Sequence, residues 1–162
     1  MKICGSKYRN RNDDFEVMMK TEKYKNALFL FNDNEREHGT NIKGAGNAVM
    51  RKYSKLDIPR SFGIPTGIYR TGYTQLDNKT KDAIDSIFYE LKNLVDSGNY
   101  NTLVYSIEDE FNPLLGTSIF QVSQDVLIYI TRKILSLGEI YTTSNNSEVS
   151  VEINDEFIGM VN

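Results

Sequence analysis

The spacing of apolar and polar residues predicts two long amphipathic helices in the second half of the chain. The segment "NKTKDAIDSIFYELKNLVDSG" places apolar residues at positions 84, 87, 88, 91, 94 and 95, which is the stripe of a helix that packs on a sheet. We expect this helix to begin at an Asn78 cap and to end at Gly98. The segment "SQDVLIYITRKILSLG" predicts a second helix over 123–138, with Ser123 as its N-cap.

Shorter apolar runs bounded by polar residues predict strands. Four are expected, at 15–21, 26–33, 61–70 and 102–107. The run "NALFLFND" at 26–33 is apolar at successive positions, as in a strand buried on both faces. Because proline has no N–H to donate, the third strand is expected to leave the sheet near Pro65.

The remaining segments complete an alternating order of strands and helices. Residues 47–54, "NAVMRKYS", predict a short helix, and the tail 139–162 predicts one or two edge strands with a turn at 144–147. This order predicts an α/β fold with a mixed, mostly parallel sheet. In such sheets ligands bind beyond the carboxyl ends of the strands. The loops at 34–46 and 108–121 are therefore expected to form the walls of one site.

Composition narrows the function classes. The chain has 162 residues, which fits one domain over 1–162, and its net charge of -3 disfavours a broad basic face for nucleic acid. Cys4 is the only cysteine and His38 the only histidine, so an internal disulfide and a Cys/His metal cluster are excluded, and no metal or cofactor is expected. No apolar run is long enough to span a bilayer and "MKICGSKYRNRNDDF" has no secretory apolar region, so we expect a cytoplasmic protein with no membrane partner.

The stretch "NIKGAGNAVMRKYS" at 41–54 places two glycines directly before a helix. Glycine costs conformational entropy there, so it needs a reason. One reason is a tight turn that requires a positive φ. The other is a phosphate site, because exposed N–H groups at a helix N-terminus attract anions and glycine allows close approach. The spacing alone leaves both interpretations open.

Four motifs in order resemble the macrodomain family. "LFLFNDN", "IKGAGNAVMR", "SFGIPTG" and "LGTSIF" stand where that family has an Asn-rich strand end, a Gly-rich loop and a second binding loop. The resemblance is closest to a divergent branch of phages and bacterial mobile elements that carries "FVFGDN" and "AIGIPT". It covers about residues 26–137 and leaves 139–162 as a C-terminal strand appendage. It implies a three-layer α/β/α fold that binds ADP-ribose, in the host cytoplasm if the chain is encoded by a phage.

The resemblance and the chemistry of the side chains assign the ligand contacts to the strand end, the glycine turn and the second loop. These residues are Asn32, Asn34, His38, Lys43, Gly44, Ala45, Gly46, Asn47, Gly116, Thr117, Ser118, Ile119 and Phe120. The glycine turn would present N–H groups to a diphosphate, and Phe120 would pack near a ribose. Ser118 and Gln121 stand where the family has glycine, which would narrow the pocket or select another nucleotide. Asp13 and Asp14 are the candidates for the adenine-reading aspartate.

The candidate catalytic residues are Asp33, Asn34 and Glu108, and each has a structural alternative. Asp33 is either a general base or a turn cap, and Asn34 either contacts a ribose or closes an Asx turn. Glu108 begins an acidic run that either activates water or is solvated. Binding and sequestration of an ADP-ribose-type nucleotide, as a phage counter-defence, is the leading hypothesis, and whether the protein is an enzyme stays open. The alternatives are an ADP-ribosyl hydrolase or phosphatase and a protein-interaction module with a degenerate pocket. The oligomeric state is also open.

Overall fold

A computed structural model describes residues 1–7, 14–117 and 121–162, without the side chains of residues 14 and 146–148. The strands are β1 (Lys2–Lys7), β2 (Ala27–Asn34), β3 (Ser61–Ile68), β4 (Thr71–Gly72), β5 (Thr102–Asp109), β6 (Asn112–Leu115), β7 (Ile140–Thr143) and β8 (Asn146–Glu152). The α-helices are α1 (Asp14–Met19), α2 (Asn78–Val95), α3 (Gln124–Leu135) and α4 (Asp155–Gly159). Two 3-10 helices span Glu22–Tyr24 and Gly46–Lys55.

The strands form one mixed sheet in the order β4-β3-β2-β5-β1-β7-β8, with β6 paired to the end of β5. Strands β1, β2, β3, β5 and β7 pair with their neighbours in parallel. Strands β4, β6 and β8 are antiparallel additions. The predicted α/β class and the mostly parallel sheet are therefore confirmed.

Successive residues of a strand point to opposite sides of the sheet. In β2 these two sets of residues pack against different helical segments. Leu28 and Leu30 of β2 belong to one buried cluster with residues of α2 and α3. Phe29 and Phe31 belong to a second cluster, which includes Phe15 of α1 and Met50 of the longer 3-10 helix. The continuous apolar run of β2 is thus explained by burial on both sides.

Strands β2 and β5 pair only over their first halves. Their parallel register runs from Ala27 opposite Thr102 to Leu30 opposite Tyr105. Beyond that point β2 continues beside β3, while β5 turns to pair with β6. The chain leaves β2 towards β3 on one side and leaves β5 through α3 towards β7 on the other side. A crevice therefore opens at the carboxyl ends of two strands whose connections run in opposite directions.

The prediction of a first strand at 15–21 was wrong. Residues 15–21 do not form a strand, because α1 spans Asp14–Met19 and buries Phe15 and Met19, which are four residues apart. The first strand is β1 instead, and it lies between β5 and β7 inside the sheet. A short apolar run fits a strand and a helical turn equally well, so its spacing could not distinguish them.

Pro65 does not end the third strand. Strand β3 runs through it to Ile68, with Pro65 opposite Asp33 and a shift of register immediately afterwards. On the β4 side the proline is tolerated, because β4 pairs only with Gly67 and Ile68 and needs no N–H at position 65.

Smaller differences concern helix ends and type. The predicted short helix at 47–54 is a 3-10 helix, and α4 was not predicted. Helix α2 is capped by Asp77 rather than Asn78, since the Asp77 carboxylate accepts the Thr80 N–H at 2.8 Å. The tail forms two strands, as predicted, but only β8 is an edge strand, because β7 pairs with β1 on one side and with β8 on the other.

The close packing of β3 on β2 gives a first prediction. A Cβ atom on Gly63 would lie 2.8 Å from Asp33 Cγ and would overlap its Oδ2 atom. We expect Gly63→Ala to lower the free energy of unfolding by about 1–3 kcal/mol, because the buried carboxylate has to move. Urea denaturation measures the change. The matched control is Gly159→Ala, where no atom lies within 4 Å of the added Cβ and the effect should stay within about 0.5 kcal/mol. Equal unfolding free energies of the two variants would contradict the close contact between Gly63 and the Asp33 carboxylate.

Candidate functional site

The crevice between β2 and β5 contains a cavity of about 530 Å³. This volume is within the range of roughly 300–1,000 Å³ that is typical of small-molecule sites. The two predicted loops both contribute to its wall, through residues 43–48 on one side and Glu108, Gly116 and Thr117 on the other. The hairpin between β3 and β4 forms a third part of the wall, which the sequence analysis did not predict.

Asn32 ties the inner parts of this cavity together. Its N–H donates to Asn47 Oδ1 at 3.0 Å, and its side-chain Nδ2 donates to the Gly116 carbonyl at 2.7 Å. Ser106 Oγ donates to the same carbonyl at 3.2 Å. Asn32 Oδ1 is buried and has no hydrogen-bond partner in the described part of the chain. It is an acceptor that a bound N–H or hydroxyl group could satisfy.

The glycine turn serves backbone geometry and also leaves donors open. Gly46 has a φ of 59°, so the turn interpretation is confirmed at this position. Gly44 packs against the 3-10 helix so closely that a Cβ atom would lie 2.5 Å from Ala48 Cβ. Over the described ranges, the N–H groups of Ala45, Gly46 and Asn47 have no hydrogen-bond acceptor on the protein. The same residues therefore form a turn and, among the described residues, leave three N–H groups without an acceptor at the start of the 3-10 helix.

A buried ion pair lies behind this turn. Arg51 Nη2 lies 2.5 Å from Asp33 Oδ1 and 2.9 Å from Glu37 Oε2, and Arg51 Nη1 donates to the Ile42 carbonyl at 2.6 Å. The side chains of Arg51 and Asp33 are only 3% and 1% exposed. Asp33 Oδ1 also accepts the Asn34 N–H at 2.8 Å. This placement favours the turn cap over the general base, because Oδ1 is already held by the Arg51 guanidinium and the Asn34 N–H.

Asn34 uses both ends of its amide within the protein. Oδ1 accepts the Arg36 N–H at 3.0 Å, which closes an Asx turn, and Nδ2 donates to the Tyr69 carbonyl at 3.0 Å. The Asx-turn interpretation is confirmed. The predicted ribose contact is untested, and the amide keeps one N–H and one lone pair with which it could be made.

Glu108 is the one predicted catalytic residue with an exposed side chain, and its Oε1 atom accepts the Thr117 N–H at 3.2 Å. It thereby fixes the start of the second loop. Ser118, Ile119 and Phe120 lie outside the described residues, as does Asp13.

Two exposed cations line the cavity, Lys43 and Arg70. In the described part of the chain neither forms an ion pair. The charge of Arg51 is already balanced by Asp33 and Glu37. Lys43 was predicted, but Arg70 was missed although it is the last residue of the strand predicted at 61–70. The rule that ligands bind beyond strand carboxyl ends could have identified it.

The prediction that His38 contacts the ligand is not supported by its position. Left-handed Gly39, with a φ of 74°, follows it in a turn that directs the imidazole against the Phe62 ring, 5.3 Å away between centroids. His38 lines a second cavity of about 290 Å³, where Nδ1 lies 3.7 Å from Asp33 Oδ2 and Nε2 lies 3.7 Å from Glu90 Oε1. Asp33, and to a lesser extent Glu90, raises the pKa of His38 above its ordinary value.

Comparisons of the chain with protein-family models, with curated proteins and with solved structures find no match. Within the described ranges, no helix has both the length and the apolar character needed to cross a bilayer. The resemblance to macrodomains is therefore a hypothesis that depends on the quoted motifs, and function has to be argued from the geometry of the cavity.

The buried ion pair gives the second prediction. Arg51→Met leaves the Asp33 carboxylate buried without its cation, which should cost about 3–5 kcal/mol of unfolding free energy. The double variant Asp33→Asn with Arg51→Met removes both charges and should recover part of that loss. Urea denaturation of the wild type, the two single variants and the double variant measures the coupling between the two charges. If the double variant is no more stable than Arg51→Met, the unpaired charge of Asp33 is not the cause of the loss.

The environment of His38 gives the third prediction. Because its pKa is raised in the folded chain, the imidazolium contributes stability that is fully present below about pH 6.5, the unfolded value, and is lost as pH rises through the folded value. His38→Gln should remove this part of the pH dependence of unfolding. Glu90→Gln should retain most of it, since Asp33 is the larger cause. Identical pH profiles of the wild type and His38→Gln would refute this account.

Proposed function

We propose that the protein binds ADP-ribose or a related NAD-derived nucleotide in the crevice between β2 and β5. The observation that carries the proposal is the position of the cavity, which lies at the carboxyl ends of strands with diverging connections. Its two walls are the glycine turn and the Gly116 loop, the segments in which the sequence resembles macrodomains. A three-layer macrodomain-like fold and a cytoplasmic location belong to the same proposal.

The diphosphate binds at the glycine turn. The N–H groups of Ala45, Gly46 and Asn47 are available at the start of a 3-10 helix, where backbone dipoles favour an anion. Lys43 adds an exposed cation next to them. Asn32 Oδ1 supplies an acceptor for a ligand hydroxyl or amino group. Donors, a cation and an acceptor are what a nucleotide with phosphate and ribose requires.

Binding without turnover fits the side chains better than hydrolysis does. Asp33 is buried in an ion pair, and the amide of Asn34 is occupied by the Asx turn and Tyr69. Glu108 is exposed, but its carboxylate already holds the Thr117 N–H. No pair of free acid and base groups is present among these three predicted catalytic residues. Sequestration of a nucleotide signal, as a phage protein would use against a host defence, follows from the resemblance as an analogy.

The fourth prediction tests the binding site by calorimetric titration with ADP-ribose. Gly46→Asp places a carboxylate beside the proposed diphosphate site and should abolish binding. Gly98→Asp is the matched control, because Gly98 also has a positive φ, of 83°, but lies outside the cavity. It carries a similar backbone cost and should leave affinity unchanged.

Loss of binding in both variants would point to a folding effect instead. Absence of binding by the wild type to ADP-ribose, NAD and AMP would reject the proposal and favour a protein-interaction module. Breakdown of the bound nucleotide by the pure protein would replace the binder with a hydrolase.

A further inference from the structure

The hairpin between β3 and β4 holds a tyrosine in a conformation that suits glycine. Ile68 pairs with Thr71, so Tyr69 and Arg70 form a two-residue turn. Tyr69 has a φ of 56°, and it is the only non-glycine residue with a positive φ in the described part of the chain. Such turns favour glycine, asparagine or aspartate at this position, because a Cβ atom in the left-handed region is strained. Glycine would therefore make a more stable hairpin here.

Several contacts keep this strained residue in place at the edge of the cavity. Its carbonyl accepts Asn34 Nδ2 at 3.0 Å, which ties the hairpin to the Asx turn after β2. The guanidinium carbon of Arg36 lies 4.8 Å from the centre of the Tyr69 ring. The side chain nevertheless is 61% exposed and lines the cavity. The ring is held in position without being part of the core.

We propose that Tyr69 is a stacking platform for the nucleobase of the bound ligand, which makes it a specificity-determining residue of the crevice. This inference rests on the proposed function and deepens it: the ligand carries a planar base, and the base lies at the hairpin while the phosphates lie at the glycine turn. Strained residues persist only where the surrounding structure holds them, and they cluster at ligand-binding and active sites.

A base suits this position better than a ribose does. The nearby amide of Asn34 already makes one hydrogen bond from each end, so part of its capacity to read ribose hydroxyls is used within the protein. An exposed aromatic face backed by a guanidinium binds a flat π-system of any base by stacking. The hairpin therefore recognises the presence of a base more than its identity.

The fifth prediction separates the contribution of base stacking to affinity from the contributions of the ribose and phosphate groups. Tyr69→Gly removes both the ring and the backbone strain, so it should raise the Tm while weakening the binding of AMP and ADP-ribose roughly tenfold or more. The affinities for ribose 5-phosphate and pyrophosphate, which have no base, should not change. Tyr69→Asn also tolerates a positive φ and should behave in the same way, which separates the loss of the ring from a loosened turn. Tyr69→Phe keeps the ring and should bind like the wild type.

Tyr89→Ala is the matched control, because Tyr89 is 72% exposed on α2 and does not line the cavity. It should leave all four affinities unchanged. Undiminished AMP and ADP-ribose binding by Tyr69→Gly would overturn the platform while leaving the proposed function standing. Equal weakening of ligands with and without a base would also overturn it. If the wild type binds none of the four ligands, the proposed function fails together with this inference.

Discussion

The separation of β2 from β5 after Leu30 and Tyr105 is the constraint on which the candidate site depends. Up to those residues, the two strands are bonded to each other and buried on both faces. Beyond them their backbones have different partners, β3 for one and β6 for the other. Asn32 and Ser106 are the first polar side chains past the separation, and both donate to the Gly116 carbonyl. Polar side chains are needed there because the backbone groups of the separated strands no longer bond to each other and require other hydrogen-bond partners.

Asp33 lines both this crevice and the second cavity. Its Oδ1 atom is held by Arg51, which lines the crevice, and its Oδ2 atom faces the His38 imidazole at 3.7 Å. Gly63 leaves the space that this buried carboxylate needs. The same carboxylate thus neutralises a buried cation and raises the pKa of a histidine. Its role is to position the glycine turn, since Arg51 also donates to the Ile42 carbonyl just before that turn.

The sequence predicted the features that repeat over many residues. Helices α2 and α3, the buried run of β2 and the two loops beside the cavity follow from apolar spacing and strand–helix order. Short segments were less predictable: α1 spans six residues, and in so short a segment Phe15 and Met19 fit a strand as well as a helical turn. The cavity's glycines and Lys43 were predicted, whereas Ser106 and Arg70 were missed. Ser106 lies beside the point where β2 and β5 separate, which is a property of the sheet rather than of local sequence, whereas Arg70 could have been identified from its place at the end of a predicted strand.

Backbone conformation distinguishes two kinds of residue around the crevice. At Gly46 the chain uses glycine for a left-handed turn, so that position by itself says nothing about a ligand. At Tyr69 the backbone has a similar positive φ, but the residue carries a bulky side chain where glycine would be favoured. A local conflict of this kind is expected at functional sites, because selection for binding can outweigh selection for stability. The hydrogen bond from Asn34 and the guanidinium of Arg36 help to hold this conformation, and both come from the turn after β2. The strand whose separation opens the crevice thus also supports the residue at its edge.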